Sequence, residues 1–508
     1  MAFHARILAF GLLVPSCFSP DAPGDTDAAG ADDTSSGGGS TGNSTTPTQG
    51  SSSDATTLSA TGTGDTDPTD TSPTATDPTG MDETGTDPTD TDPTGADTGG
   101  VAVCGDGEIE GAEVCDDGVN DGSYGGCESD CSGLGPFCGD GLKHGSEDCD
   151  DGDELQGNGC NNDCVPSGLE LWTHEEHQTP TDECVSIVPT AAGHVYLAAH
   201  IENIDGGEYA GSFYAQRLSD SGSVDWEREH APLATPTTHD YLTRAATNAG
   251  DGLVIAGAHR NPADQHPLLA NYTDMHLVKL SAANGDVVWS RNDNAPDLPV
   301  GVVMDDDGEF AVAGITSNDF DSYIFRVSEG GDAVGGTDFT AGGGLSAIAF
   351  DPAGSFLVAM NPGDESLLQR RNAGFGVLWE ADLSGMVVEM TAGQGGDIYA
   401  AGSGWIGRRM SGNGAELWTV VTGEVASLGS PESIAATPEG DIVVAGGRQG
   451  APWLARLDPA GAVLWSRSAG EDGSFASVGV RADGSVVACG TIDGGGQGDN
   501  IFVATYTP

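Results

Sequence analysis

Short apolar runs, rich in Val, Ile, Leu and Ala and bounded by Gly, Asp or Ser, follow one another from residue 168 to residue 508. This pattern predicts β-strands joined by tight turns. One run, Gly-Ala-Val-Leu-Trp at residues 461–465, has close copies at residues 168–172, 222–226, 285–289 and 414–418. Two further copies are degraded: Trp379 follows its glycines at a shifted spacing, and Gly335 stands where a Trp is expected. Seven copies, spaced by roughly 40–60 residues, indicate a radial repeat array.

Two further sets of equivalent positions, here called columns, repeat with the same period as this motif. Each unit contains a β-rich run that ends in a small residue: Ala198, Ala256, Ala313, Ala359, Ala401, Ala445 and Cys489. A cation precedes the Trp position by about nine residues, and this column reads Arg217, Lys279, Arg326, Arg370, Arg409, Arg456 and finally Thr505. With one more apolar segment ahead of them, the columns predict four short strands per unit. Seven such units around an axis form an all-β, seven-bladed β-propeller.

The motif copy at residues 168–172 comes before the first complete unit, whereas the last unit ends at Pro508 without a Trp strand. We therefore expect residues 168–172 to supply the fourth strand of the last blade. The propeller would then span residues 167–508 and be closed by both of its ends. Closure of this kind removes an exposed sheet edge, which otherwise promotes aggregation.

The chain ahead of the propeller has a different composition. Residues 1–17 read as a secretory signal peptide, because Arg6 precedes a short apolar run that ends near Cys17. The sequence Val-Pro-Ser-Cys at residues 14–17 resembles a bacterial lipobox, which implies lipidation of Cys17; ordinary secretion is the alternative. Residues 18–100 are rich in Thr, Asp and Pro and contain no Lys or Arg. They have too little apolar surface to fold, so a disordered stalk is predicted.

The net charge of the chain limits the classes of partner that it can bind. Its 508 residues carry a net charge of −62, from 79 acidic and 17 basic residues. Such a chain repels nucleic acids and anionic lipid surfaces, so we expect no nucleic-acid partner and membrane contact through the lipid anchor only.

Residues 101–166 contain a second repeat, with two copies of a Cys-Gly-Asp-Gly and Cys-Asp-Asp-Gly pattern. Its cysteines are Cys104, Cys115, Cys127 and Cys131 in one copy, and Cys138, Cys149, Cys160 and Cys164 in the other. Each copy is too small for a hydrophobic core, so in an exported protein two disulfides per copy are expected, with three pairings open. The pattern resembles the Myxococcus cysteine-rich repeat family, which implies an extracellular module with no catalytic residues.

The aspartates of these repeats have two interpretations. As oxygen ligands they could bind Ca²⁺, and the candidates are Asp116, Asp117, Asp121, Asp150, Asp151 and Asp153. Alternatively, Asp-Asp-Gly forms a turn in which the Asp side chains accept backbone N–H groups. Two cysteines remain outside the repeats: Cys184 and Cys489 lie in the first and last blades, where a disulfide would join neighbouring blades of a closed ring. A buried, inert thiol at Cys489 is the alternative.

The segment 280–290, Leu-Ser-Ala-Ala-Asn-Gly-Asp-Val-Val-Trp-Ser, resembles the tryptophan-docking repeat of quinoprotein-type (PQQ-like) propellers, and residues 457–466 are similar. The resemblance implies that the Trp column joins one blade to the next. Quinone-dependent dehydrogenases of that family have eight blades and a vicinal disulfide over the cofactor, whereas this chain has seven repeats and no adjacent cysteines. We therefore expect no quinone cofactor and assign the cation column to packing and backbone bonding.

The loops differ between the predicted faces of the ring. Connections on one face are uniform Gly turns, whereas blades one and two carry longer segments on the other face, where rigid scaffolds commonly place binding residues. The candidate ligand contacts are His200, Tyr209, His259, His266, Tyr272 and His276. The histidines in the long connections of blades one and two could also form a metal or ligand site, or simply be solvated loop residues; they are His230, His239, His259, His266 and His276. We expect a monomeric, surface-anchored binding module for an extracellular protein or glycan; an exported hydrolase or lyase and an envelope assembly scaffold are the alternatives.

Overall fold

The computed structural model describes residues 102–508, apart from 180, 206–207, 231–239, 248–251, 260–273, 294–296, 305–308, 317–320, 340–343, 363–364, 471 and 496–497. The predictions for residues 1–17 and 18–100, including lipidation of Cys17, lie outside this part. In it, 28 strands form an all-β structure whose helical content is a single 3₁₀ turn, Thr422–Glu424. No helix of the described residues is long and apolar enough to cross a membrane.

The strands form seven four-stranded blades, as the repeat predicted. The first strand of the chain is β1 (Glu170–Glu176), and blades 1 to 6 follow in sequence order. Blade 1 contains β2 (Thr181–Pro189), β3 (Val195–Asp205), β4 (Glu208–Leu218) and β5 (Val224–His230). Blade 2 contains β6 (Asp240–Thr247), β7 (Leu253–His259), β8 (Asp274–Leu280) and β9 (Val287–Asp293). Blade 3 contains β10 (Asp297–Met304), β11 (Phe310–Thr316), β12 (Ser322–Val327) and β13 (Ala333–Phe339).

The remaining blades repeat the same antiparallel order. Blade 4 contains β14 (Gly344–Phe350), β15 (Phe356–Asn361), β16 (Ser366–Arg371) and β17 (Val377–Leu383). Blade 5 contains β18 (Val387–Ala392), β19 (Ile398–Gly402), β20 (Trp405–Arg409) and β21 (Glu416–Val421). Blade 6 contains β22 (Ser430–Ala436), β23 (Ile442–Arg448), β24 (Ala451–Leu457) and β25 (Val463–Ser468). Blade 7 contains β26 (Gly473–Val480), β27 (Val486–Asp493), β28 (Asp499–Tyr506) and the early strand β1.

The ring closes through the two ends of the propeller. Strand β1 pairs antiparallel with β28, from Glu170 opposite Tyr506 to Glu176 opposite Ile501. This strand begins two residues later than the predicted 168–172 and continues four residues further. Just before this strand, the Gly168 N–H donates to the carbonyl oxygens of Thr507 and Pro508, at 3.3 and 3.2 Å.

A disulfide between Cys184 and Cys489 crosses the same seam. Cys184 lies on β2 of blade 1 and Cys489 on β27 of blade 7, and both side chains are buried in one apolar cluster. The alternative of an inert thiol at Cys489 is therefore wrong. The seam between the last and first blades is held by strand pairing, apolar packing and a covalent bond.

The Trp column joins neighbouring blades. Each Trp ring lies against the glycine of the next blade's outer turn: Trp172 on Gly222, Trp226 on Gly285, Trp289 on Gly331, Trp379 on Gly414, Trp418 on Gly461 and Trp465 on Gly168. All six glycines have positive φ, and a Cβ at any of them would lie within about 3 Å of the ring. Only glycine meets both requirements, which explains why the Gly and Trp positions of the motif recur together.

The side chains of the cation column bond the same turns of the next blade that the Trp rings contact. The Trp226 Nε1–H and the Arg217 guanidinium both donate to the Ala282 carbonyl oxygen of blade 2, at 3.0 and 2.6 Å. Trp379 with Arg370, and Trp418 with Arg408, converge in the same way on single carbonyl oxygens of the following blades. In blade 5 the strand register makes Arg408, not the predicted Arg409, the equivalent of Arg456, because Arg408 pairs with Tyr399 as Arg456 pairs with Val443.

Each cysteine-rich copy contains two nested disulfides. The pairs are Cys104–Cys131 and Cys115–Cys127 in the first copy, and Cys138–Cys164 and Cys149–Cys160 in the second. The second copy leads directly into the propeller: the carbonyl oxygens of Ser167 and Gly168, which follow it, accept hydrogen bonds from Arg467 of blade 6 at 2.8 and 3.0 Å. The Thr507 hydroxyl donates to the Pro166 carbonyl oxygen at 2.8 Å. The repeat and the ring therefore form one packed unit.

Candidate functional site

The first strands of the seven blades surround a central channel with a cavity volume of about 390 Å³. Each of these strands has a β-bulge at the same level. Serine hydroxyls after three bulges accept backbone N–H groups of the next blade, as where Ser433 accepts from Val478 at 3.0 Å. The Glu389 carboxylate accepts the Ile434 N–H in the same way, at 3.3 Å. Most residues that line the channel are small or apolar, and some of them hydrogen-bond the next blade. Arg244 and Glu389 are the charged residues of this lining.

The predicted long segment of blade 1 is a strand extension. Strands β3 and β4 are each eleven residues long, and they stay paired from Val195 opposite Leu218 to Asp205 opposite Glu208. The second and third strands of the other blades have five to eight residues. The interpretation of this segment as a long loop was therefore wrong, because pairing continues through it. The corresponding segment of blade 2, residues 260–273, lies outside the described part.

The six predicted ligand contacts do not form one open cluster. His200 and His276 are both buried, on β3 and β8. Tyr209 and His259 are described by their backbones alone, in β4 and β7, with Tyr209 opposite Ile204 and His259 opposite Asp274. His266 and Tyr272 lie outside the described residues. The burial of His200 and His276 comes from their positions inside paired strands rather than in loops.

A histidine pair crosses the junction between blades 1 and 2. The Nε2 atoms of His230 and His276 are hydrogen-bonded at 3.2 Å. The ring centroids are 5.4 Å apart and the ring planes differ by 13°, so the two rings meet edge to edge. The Nδ1 atom of His276 hydrogen-bonds the Oδ1 atom of Asn292, and the Phe213 ring lies 5.6 Å from the His276 ring. His230 was predicted among the histidines that could form a metal or ligand site but not among the six ligand contacts, and Asn292 was not predicted. The available signal was the concentration of histidines in blades 1 and 2.

The aspartates of the cysteine-rich copies accept backbone N–H groups. Asp116 accepts from Gly105, Gly107 and Gly118, and Asp150 accepts from Gly139, Gly141 and Gly152. The same kind of bond is made by Asp117, Asp121, Asp151 and Asp153. Burial opposes the shift, yet these N–H groups hold the pKa of the Asp116 carboxyl below its ordinary value.

This arrangement bears on the predicted Ca²⁺ site. Among the described residues, ligand atoms come together where Glu113 meets Asp116 and where Glu147 meets Asp150, each beside a cysteine that is held in a disulfide. A carboxylate that already accepts several N–H groups has fewer lone pairs to offer a cation. The contacts therefore favour the turn-capping interpretation, and Ca²⁺ binding stays a prediction.

A polar network lies at the junction of blades 7 and 1. The Gln216 amide donates to the Glu176 carboxylate and to the Tyr214 hydroxyl, both at 2.7 Å, and Tyr214 donates to Glu227 at 3.1 Å. Burial, together with the charges of Glu176 and Glu227, raises the pKa of the Tyr214 hydroxyl. Tyr214 therefore stays a hydrogen-bond donor across the physiological pH range.

No protein-family model and no curated protein sequence matches the chain. Solved structures resemble it at the level of the fold. A structure of the Dos1 propeller is 12% identical, with a TM-score of 0.47, and covers 67% of this chain and 95% of its own. A streptogramin B lyase structure is 14% identical, with a TM-score of 0.46 and coverage of 67% and 100%. A catalytically inactive virginiamycin B lyase from Staphylococcus aureus with quinupristin is 12% identical, with a TM-score of 0.45 and coverage of 66% and 99%. The chain is a seven-bladed β-propeller protein.

Proposed function

We propose that this chain is an exported lipoprotein that displays its propeller as a binding module for an extracellular protein or glycan. The five disulfides support export, because disulfides persist in oxidising compartments. The lipobox-like sequence at Cys17 and the stalk-like composition of residues 18–100 support surface anchoring. The Trp-to-glycine contacts between blades agree with a PQQ-like repeat, and the nested disulfides with a Myxococcus-type cysteine-rich repeat.

The extended hairpin of blade 1 carries the binding proposal. It continues to Asp205 and Glu208, at a place where the hairpins of blades 5 and 6 have already turned, at Gly402–Trp405 and Arg448–Ala451. Three further residue pairs, at about 3.3 Å per residue, carry it roughly 10 Å beyond Glu202 and Gly211. Binding residues are often placed on such variable elements of a rigid scaffold.

The test compares the full chain with a variant that lacks the extension. Deleting residues 203–205 and 208–210 leaves Gly206 and Gly207 to connect Glu202 to Gly211, which keeps the strand register of blade 1. Both proteins are applied to a glycan array and to a panel of purified surface proteins from the source cells. We expect specific binding by the wild type and at least tenfold weaker binding by the variant, with an unchanged melting temperature. Equal binding by a folded variant would contradict the assignment to this hairpin.

Anchoring needs a separate measurement. If Cys17 is lipidated, a Cys17→Ala variant is released into the medium while the wild type remains with the membrane fraction. Fractionation of the variant with membranes, in the same amount as the wild type, would contradict the lipoprotein proposal and would leave the binding proposal intact.

A further inference from the structure

Two rows of side chains face each other between blades 1 and 2. In blade 1 the strand register aligns His200, Phe213 and His230, and in blade 2 it aligns Gly257, His276 and Asn292. The contacts of His276 with Phe213 and His230 show that the two rows meet. Glycine at position 257 places no side chain beside His276. The histidine pair therefore lies at an interblade junction that the backbone of both blades fixes.

The Asn292 amide, with its Oδ1 atom toward the ring, favours one tautomer of His276. The Oδ1 atom of an amide only accepts hydrogen bonds, so the Nδ1 atom of His276 donates the proton in their contact. The neutral imidazole then has its lone pair on Nε2, the atom that lies 3.2 Å from Nε2 of His230. Metal-binding histidines are oriented in this way, by a bond from the other ring nitrogen to an oxygen acceptor.

We propose that His230 and His276 bind a divalent transition-metal ion, such as Zn²⁺, through their Nε2 atoms. Two nitrogens bound to Zn²⁺ at about 2.0–2.1 Å with tetrahedral angles are separated by about 3.3 Å, and the observed separation is 3.2 Å. Imidazole suits Zn²⁺, Cu²⁺ and Ni²⁺, whereas Ca²⁺ and Mg²⁺ prefer oxygen ligands. Metal binding replaces the hydrogen bond between the two Nε2 atoms. It requires His230 to take the same tautomer as His276, with Nδ1 protonated, so that both Nε2 lone pairs reach the ion.

Among the described residues, the site is exposed on one side. His276 is buried, His230 is half-buried and Asn292 is exposed, so this part of the chain leaves a path for an ion along the edge of blades 1 and 2. Two protein nitrogens leave coordination positions that water or an oxygen group of a bound ligand fills. The site would therefore supply a Lewis-acidic contact on the blades where the extended hairpin also lies, although it does not depend on that hairpin.

The experiment titrates Zn²⁺ into the full chain, purified without a histidine tag and stripped with EDTA, by isothermal calorimetry. The variants are His230→Gln, His276→Gln and Asn292→Ala. The matched control is His194→Gln, because His194 lies in the turn before β3, at the opposite ring face, and pairs with Asp225. We expect the wild type and the control to bind one equivalent that each His variant binds at least tenfold more weakly. Asn292→Ala should weaken binding about tenfold to a hundredfold, as loss of an outer-shell partner commonly does.

A second readout separates this site from zinc bound by the many carboxylates of the chain. With one equivalent of Cu²⁺, electron paramagnetic resonance should show couplings to two imidazole nitrogens in the wild type and to at most one in His230→Gln. His230 is the half-buried member of the pair, so this variant is the less disruptive one, and circular dichroism checks its fold. A wild type that binds no equivalent with nitrogen ligands would overturn the proposal. So would unchanged affinity and spectra in the His230→Gln variant.

Discussion

The ring of Phe375 stacks on the ring of Phe356, with centroids 5.3 Å apart and planes 11° apart. Trp289 stacks on Phe310 in nearly the same geometry, at 5.6 Å and 9°. Phe310 and Phe356 are the first residues of β11 and β15, so the two contacts are equivalent. Phe375 therefore extends from blade 4 into the place that a Trp of blade 3 would fill, and blade 3 has Gly335 at that position.

The glycine and aromatic positions of the motif are interchanged between blades 3 and 4. Gly331 and Gly335 are four residues apart, as are Phe375 and Trp379, so Phe375 occupies the glycine position of its own unit and keeps a positive φ of 67°. The spacing before Trp379 is thus unchanged, and its apparent shift from the neighbouring glycines was a wrong alignment. Blade 3 has no Trp at this position, and the next blade has an aromatic ring where the other blades have the docking glycine.

The first prediction restores the motif at this junction. Phe375→Gly should lower the free energy of unfolding by about 1–3 kcal/mol, because loss of aromatic packing exceeds the relief of left-handed strain. Gly335→Trp alone should also destabilise, because the place of its ring is filled by Phe375. The double variant should recover much of the loss, which urea denaturation would measure as a coupling of about 0.5–3 kcal/mol. Simple additivity of the two changes would show that they do not share one site.

The second prediction isolates the indole hydrogen bond. Trp226→Phe removes the bond to the Ala282 carbonyl oxygen, whereas Trp465 is a matched control because its buried Nε1 has no hydrogen-bond partner among the residues that the structure describes. Both rings are more than nine-tenths buried and lie against a docking glycine. Trp226→Phe should therefore cost about 1 kcal/mol more than Trp465→Phe in urea denaturation. Equal costs would assign the Trp column to ring packing alone.

The predictions from sequence agree with the structure for features that repeat from blade to blade. The Gly–Trp contact repeats along the chain, so the number of blades and the closing strand could be predicted from its period. The interchange of Gly335 and Phe375 could not be predicted, because each residue by itself is simply a departure from the repeat motif. Arg408 and Arg409 are adjacent in sequence, and only strand register identifies which one reaches the Pro459 carbonyl oxygen.

The histidine pair was also harder to predict, because its position depends on strand register. Histidines between blades were expected in loops, whereas His230 and His276 lie inside strands β5 and β8, at positions fixed by pairing. Sequence shows that histidines are concentrated there, but it does not show which rows face each other. The contact between blades depends on twist and stacking of sheets that are remote in sequence.

The third prediction concerns the seam disulfide. Cys184 and Cys489 are 305 residues apart, so their bond restricts the unfolded chain strongly. Replacing both with Ser should lower the stability of the propeller by about 2–5 kcal/mol, in differential scanning calorimetry of the full chain. Replacing Cys149 and Cys160, which are 11 residues apart, is the control and should affect the cysteine-rich copy rather than the propeller transition. An unchanged propeller transition without the seam bond would mean that strand pairing alone holds the ring.

The fourth prediction is a pH dependence of the first cysteine-rich copy. Although burial opposes the shift, backbone N–H groups lower the pKa of Asp116 in the folded state. A lowered pKa means that the carboxylate stabilises the fold above its ordinary pKa, about 4, and that this contribution is lost as the pH falls through the folded value. Amide hydrogen exchange at Gly105, Gly107 and Gly118 should therefore accelerate below about pH 4 beyond the change in intrinsic rate. Asp116→Asn should exchange faster at neutral pH and lose the additional acid step, and retention of that step would assign it to other carboxylates.

The last prediction tests how the second cysteine-rich copy is docked. Arg456 is fully buried, and its guanidinium bonds Asp441 at 2.8 Å and Glu439 at 3.2 Å. Gly157 of the repeat covers it, and a Cβ at Gly157 would overlap the guanidinium carbon. The side chain cannot move away easily, since both of its carboxylate partners would lose their bonds. Gly157→Ala should therefore displace the repeat from blade 6.

The control separates this overlap from backbone strain. Gly145, in the same copy, also has a positive φ, but a Cβ added there meets no atom within 4 Å. Gly157→Ala should accelerate proteolytic cleavage between residue 157 and the propeller at least several-fold, whereas Gly145→Ala should leave the rate near that of the wild type. The propeller transition should survive in both variants, because its blades do not require the repeat for their own strand pairing. If both variants are cleaved equally fast, strain within the repeat is responsible, and the contact between Gly157 and Arg456 is not what holds the two parts together.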